Sequence, residues 1–81
     1  MKLYQYKAKF LKQLILYQPR TSREREVRDL LITKLETLRS MTMPYFLRTL
    51  YEVLQHEDVS NELKEIVRKM VEEMPMEGEE E

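Results

Sequence analysis

The chain has no cysteine and no tryptophan, one histidine, one glycine and three prolines among 81 residues. Each shortage removes a class of protein. Without cysteine there is neither a disulfide framework nor a thiolate metal site to staple a small fold, which argues against a secreted mini-protein and for the cytoplasm. A phosphate-cradling loop needs several glycines so that the backbone can approach the anion, and Gly78 alone cannot build one. The longest uninterrupted apolar run, Leu14 to Tyr17, falls far short of the roughly 20 residues that span a bilayer.

The same scarcity thins the list of catalytic groups. Nucleophilic and metal chemistry need a few side-chain types held within hydrogen-bond reach, and here the only imidazole is His56. It follows Glu52 by one helical turn and adjoins Glu57 and Asp58, yet no second ExxH and no HExxH completes a metal set. His56 reads as a solvated residue complementing a helix C-terminus. Glu72 with Glu73, and Glu79 to Glu81, fail as paired carboxylates because adjacent helix positions point apart and the tail is exposed. The expectation is no catalytic residue, no metal and no cofactor.

What is abundant is charge, unevenly placed. Residues 1–40 hold ten Lys and Arg against Glu24, Glu26, Asp29 and Glu36, a balance of plus six. Residues 41–81 hold Arg48, Lys64, Arg68 and Lys69 against eleven acids, a balance of minus seven. On the basic half, Glu24 with Arg28 and Arg25 with Asp29 are spaced for i, i+4 pairing, which leaves Lys2, Lys9, Lys12, Arg20 and Arg23 as candidate phosphate contacts.

Apolar periodicity gives the fold class. Leu63, Ile66, Val67, Met70, Val71 and Met74 follow the helical i, i+3, i+4 template from Asn61, behind a cap at Asp58 or Ser60. Val27, Leu30, Leu31, Leu35 and Leu38 repeat it over Ser22 to Ser40, with Thr21 and Glu24 spaced as a capping box. Pro44 suits the first turn of a short central helix over Pro44 to Gln55, capped by Thr42 or Met43. That helix is apolar nearly all round, which predicts burial in the core. Tyr4, Tyr6, Ala8 and Phe10 alternate with polar residues as a strand would, but no second strand is present to pair with, and helical spacing resumes from Ala8. Residues 1–17 are therefore read as helix.

The whole is an all-α, small four-helix bundle, three long helices and one short central one. One domain covers 1–74, and 75–81 forms a flexible acidic C-terminal tail. The core is drawn from Phe10, Leu14, Leu31, Leu35, Leu38, Phe46, Leu50, Leu54, Leu63, Val67, Met70 and Val71. On a wheel of about 100° per residue, Leu3, Tyr4, Tyr6, Ala8, Phe10, Leu11, Leu14, Ile15 and Tyr17 share one arc of the first helix, broken only by Lys7. One neighbouring helix would not cover so wide an arc, so completion by dimerisation is expected.

Leu50 to Met74, with Leu50-Tyr51-Glu52-Val53-Leu54 and Asp58-Val59-Ser60, resembles one helical hairpin of the HEAT type. No second copy appears, and a solenoid needs about three or more units, so the resemblance implies a helical pair and nothing further. Leu3-Tyr4 is similar to the opening of the small LYR proteins, but Gln5 stands where their defining Arg belongs.

The functional expectation is a non-catalytic regulatory or adaptor protein that binds another protein, or itself as a homodimer. Tyr4, Tyr6, Phe10 and Tyr17 would anchor the partner, with Met43 as an adaptable contact. The alternative is a nucleic-acid-binding accessory protein using residues 1–40. A recognition-helix reading of the third helix fails because its body is mostly apolar. An interfacial helix on a membrane is disfavoured because the other helices need the first as cover.

Overall fold

The computed structural model describes residues 1–75. Among them run α1 (Leu3–Leu16), α2 (Ser22–Glu36), a short 3-10 turn (Ser40–Thr42), α3 (Met43–Leu54) and α4 (Asn61–Glu72), with no strand. The all-helical expectation holds, including for residues 3–10, where the alternating pattern had offered a strand. The acidic tail expected at 75–81 lies outside the described residues except for Pro75, which is buried against the helices rather than part of a free end.

Local chemistry sets the helix starts. The Thr21 hydroxyl accepts from the Glu24 N–H at 3.0 Å, and the Ser60 hydroxyl accepts from the Leu63 N–H at 3.4 Å, each relieving an orphan donor of a first turn. Ser60, not Asp58, is thus the cap of α4. Pro44 sits in the first turn of α3, where its missing donor costs nothing.

One boundary and one relative length differ from the periodicity. The second helix stops at Glu36 instead of Ser40, because the Thr37 hydroxyl turns back onto the carbonyls of Thr33 and Lys34 and competes with the next helical turn. Leu38 is thereby released to enter the core from outside the helix. The third helix is not distinctly short: α3 and α4 have 12 residues each, against 14 in α1 and 15 in α2.

α1 packs on α2 and α4, and α3 packs on the same two, so α1 and α3 stand diagonally. Tyr6, early in α1, reaches Met70 late in α4, and Lys7 reaches Leu38 just beyond α2. Both contacts require α1 to run antiparallel to its neighbours, as short connections favour. The core is a single cluster that takes one stripe from each helix: Leu3, Tyr6, Phe10 and Leu14; Val27, Leu31 and Leu35; Met43, Phe46, Leu50 and Val53; Leu63, Val67 and Met70. Leu54 and Val71, counted as core by periodicity, lie at its margin. Each fully buried Leu, Val or Phe contributes about 1.5–3 kcal/mol of transfer free energy, which has to offset ordering of a chain this small.

The α3 expectation needs correction. An all-round apolar helix was expected to lie within the core, yet α3 buries one face and leaves Tyr45 71% and Tyr51 49% exposed. Their amphipathic rings tolerate water, so the sequence overstates how apolar α3 is.

Candidate docking surface

The wide arc of α1 divides into two faces. Leu3, Tyr6, Phe10 and Leu14 point inward and are buried. Tyr4, Ala8, Leu11 and Ile15 follow one another at i, i+4, i+7 and i+11 on a second face: Tyr4 and Ile15 are each 61% exposed, Ala8 is exposed and Leu11 is half-buried. Leu11 packs against the margin of the core, while Tyr4, Ala8 and Ile15 face solvent.

Tyr6 and Phe10 were expected among the anchors for a partner, Phe10 also in the core, and the structure places both in the core. Their rings pack at 5.0 Å between centroids, tilted by 58°. The Tyr6 hydroxyl donates to the Met70 carbonyl at 2.6 Å, one of the last carbonyls of α4, which have no intrahelical donor. That bond explains why a tyrosine is tolerated at full burial. Burial, reinforced by the charge of Glu73, raises the Tyr6 phenol far above its ordinary value and keeps it a donor. Met43 is likewise buried, in the first turn of α3, and is no surface contact. Tyr17 is half-buried with its hydroxyl 2.6 Å from the Ser60 hydroxyl, which fastens α1 to the start of α4. Of the five expected anchors only Tyr4 remains open to a partner; Ala8, Leu11 and Ile15 join it from the same arc.

A cavity of about 460 Å³ lies at the N-terminal end of the stripe. Tyr4 and Lys7 of α1 form one wall, Glu36, Leu38 and Arg39 the other, and Met41, 79% exposed, stands at its rim. Lys7 donates to the Leu38 carbonyl at 3.2 Å and so holds the α2–α3 connection against α1.

Three of the five cations considered for nucleic acid are paired with carboxylates. Lys9 pairs with Glu73 at 2.6 Å while lying 5.3 Å from the Phe10 ring centroid, Arg20 pairs with Glu62 at 2.7 Å, and Arg23 pairs with Glu26 at 3.4 Å. Lys2 and Lys12 form no salt bridge among the described residues. The pairing on α2 also differs from the i, i+4 scheme. Arg28 takes Asp29, its immediate neighbour, and donates to the Tyr17 carbonyl at 3.1 Å, while Glu24 turns inward.

Glu24 is the polar residue the sequence undersold. It is 1% exposed and accepts from the Arg20 N–H at 2.8 Å and the Ser60 N–H at 2.7 Å. Only half of the capping box forms: Thr21 serves the Glu24 N–H, but the carboxylate reaches the residue before the cap and, across the fold, the cap of α4. Burial pushes its pKa up, and hydrogen bonds from the Ser60 hydroxyl, the Arg20 and Ser60 amides and the Tyr17 hydroxyl outweigh it, lowering the value from 4.5 to about 2. Burial also raises Tyr17, and the Glu24 charge adds to this against the opposing Ser60 and Arg20. The cluster ties both loops at this end of the molecule into one unit. No polar side-chain atom buried among the described residues lacks a partner, so these groups are occupied with structure.

His56 lies 3.4 Å from an Arg23 guanidinium nitrogen, and no group of three His, Asp or Glu able to hold a metal occurs among the described residues. No described helix is long and apolar enough to cross a membrane. Comparison with known protein families, curated proteins and solved structures finds no match to this chain.

Proposed function

We propose that the protein is a non-catalytic binding module that docks a helical segment of another protein along the outer face of α1. One observation carries the reading: Tyr4, Ala8 and Ile15 form an exposed apolar stripe, with Leu11 half-buried at its inner edge, on a helix whose other apolar stripe already fills the core. Leaving such a stripe in water gains nothing for a small domain that needs all the burial it can find. A helix laid alongside would bury it by the i, i+3, i+4, i+7 matching used in helix-in-groove recognition. Tyr4 and Met41 flank the cavity at the N-terminal end and would hold one projecting side chain of the partner. The nucleic-acid alternative has weaker support, because Lys9, Arg20 and Arg23 spend their charge on Glu73, Glu62 and Glu26.

The test is a pull-down from nuclease-treated native lysate with the wild-type chain and a Tyr4→Ala, Ile15→Ala variant of unchanged helicity. Proteins kept by the wild type and lost by the variant support the surface. Identical captures by the two would remove α1 as the docking face.

A further inference from the structure

We infer that the partner of the α1 stripe is an acidic amphipathic helix of another protein rather than a second copy of this chain. The inference rests on the docking reading above and adds the chemistry of the occupant.

The charge on α1 is of one sign. Lys7, Lys9 and Lys12 lie within it, Lys2 precedes it, and it contains no acidic residue. Lys9 is neutralised by Glu73 on the α4 side, away from the stripe. Lys7 and Lys12 remain at the edges of the stripe, Lys7 with one hydrogen bond to the Leu38 carbonyl, and Arg39 lines the cavity at its end; none of the three forms a salt bridge among the described residues. Glu36 and Asp29 are the nearby acids, and Asp29 is engaged by Arg28. A helix whose polar flanks carry Glu or Asp meets cations on both edges of the stripe, which speeds encounter and fixes register.

The same positions disfavour self-pairing. If two copies of α1 paired antiparallel along the stripe about a two-fold axis, each edge would meet its own copy, Lys7 beside Lys7 and Lys12 beside Lys12. A parallel pair would bring the Lys7 edge of one copy to the Lys12 edge of the other. Either way like charges are held together with no acid on α1 to relieve them. The outer stripe of α3, made by Pro44, Leu47 and Tyr51, offers no comparable preference, since Arg48 and Glu52 of opposite sign edge it. An anionic lipid surface would also attract lysines, but a flat bilayer does not fill the cavity of about 460 Å³ beside Tyr4.

The experiment uses the full chain and three labelled helical peptides with one leucine pattern, their other face filled by Glu, Gln or Lys. Anionic phosphatidylserine vesicles and sedimentation velocity complete the set. The Glu peptide is expected to bind about tenfold more tightly than the Gln peptide, with a gap that closes as salt rises, and the Lys peptide to bind least. Lys12→Glu with Arg39→Glu is expected to invert the order, and Tyr4→Ala with Ile15→Ala to weaken the Glu peptide about tenfold while leaving the unfolding curve in place. Equal binding of the Glu and Gln peptides, lost in the Tyr4, Ile15 variant, overturns the acidic partner and leaves the docking face standing. Binding that ignores the Tyr4 and Ile15 substitutions, or no peptide binding at all, overturns the docking face too. A dimer at micromolar concentration broken by Ile15→Glu would put a second copy on the stripe. Vesicle binding without peptide binding would put lipid there.

Discussion

The two faces of α1 have nearly the same composition and opposite fates. Leu3, Tyr6, Phe10 and Leu14 are buried; Tyr4, Ala8 and Ile15, one step round the helix, are exposed, with Leu11 half-buried among them. An apolar residue at helical spacing therefore says that a surface seeks cover, not whether the cover belongs to the same chain. The inner face makes contacts with geometry, such as the Tyr6 hydroxyl on the Met70 carbonyl. The outer face has exposure and a lysine border in place of such contacts.

The difference makes the faces separable by mutation. The largest effect is expected from Phe10→Ala, which removes a fully buried ring from the centre of the inner face and should cost about 3–5 kcal/mol in urea unfolding. In a domain of this size that is a large part of all the stability present. Ile15→Ala on the outer face should stay within about 0.5 kcal/mol. A comparable loss at both positions would erase the distinction.

Next comes Glu24, which holds the helix ends together so that α1 presents its faces in a fixed direction. Its folded pKa, about 2, lies below the ordinary 4.5, so its contribution is complete above about pH 4.5 and is lost as pH falls toward 2. The shift corresponds to about 3 kcal/mol. Glu24→Gln should therefore lower stability at pH 7 and flatten its decline between pH 4.5 and 2, followed by urea titration at several pH values. A mutant with the wild-type acid profile would show that another carboxylate governs it.

A smaller effect is expected from Tyr6→Phe, which keeps the ring and deprives the Met70 carbonyl of its donor, at about 1–2 kcal/mol. Tyr4→Phe alters only an exposed ring edge and should leave the thermal midpoint unchanged. If Tyr6→Phe were silent as well, the inner face would owe its stability to packing alone.

Much of the fold was legible because its signals are local. Thr21 and Ser60 cap the helices they precede, Pro44 opens α3, and the stripe through Leu63, Val67 and Met70 is buried as its spacing demands. What was illegible depends on partners distant in sequence. Glu24 looked like a capping-box residue or an ion-pair partner of Arg28, and nothing nearby showed that the Ser60 amide, 36 residues on, would claim it. Tyr6 and Phe10 looked like anchors because the α1 arc is continuous in sequence; only the placement of α2 and α4 divides it. Tyr4 was foreseen as exposed because the arc is too wide for its neighbours. Glu24 carried one usable hint, a lone acid between Arg23 and Arg25 at a helix start.

The most direct measurement is the acidic-peptide titration of Phe10→Ala, Ile15→Ala and Tyr4→Ala, with urea unfolding of the same three proteins. Two-face behaviour predicts that Phe10→Ala loses stability while its remaining folded fraction still binds, and that Tyr4→Ala and Ile15→Ala keep stability and lose binding. Binding retained by Tyr4→Ala and Ile15→Ala, or stability lost in them as in Phe10→Ala, would contradict it.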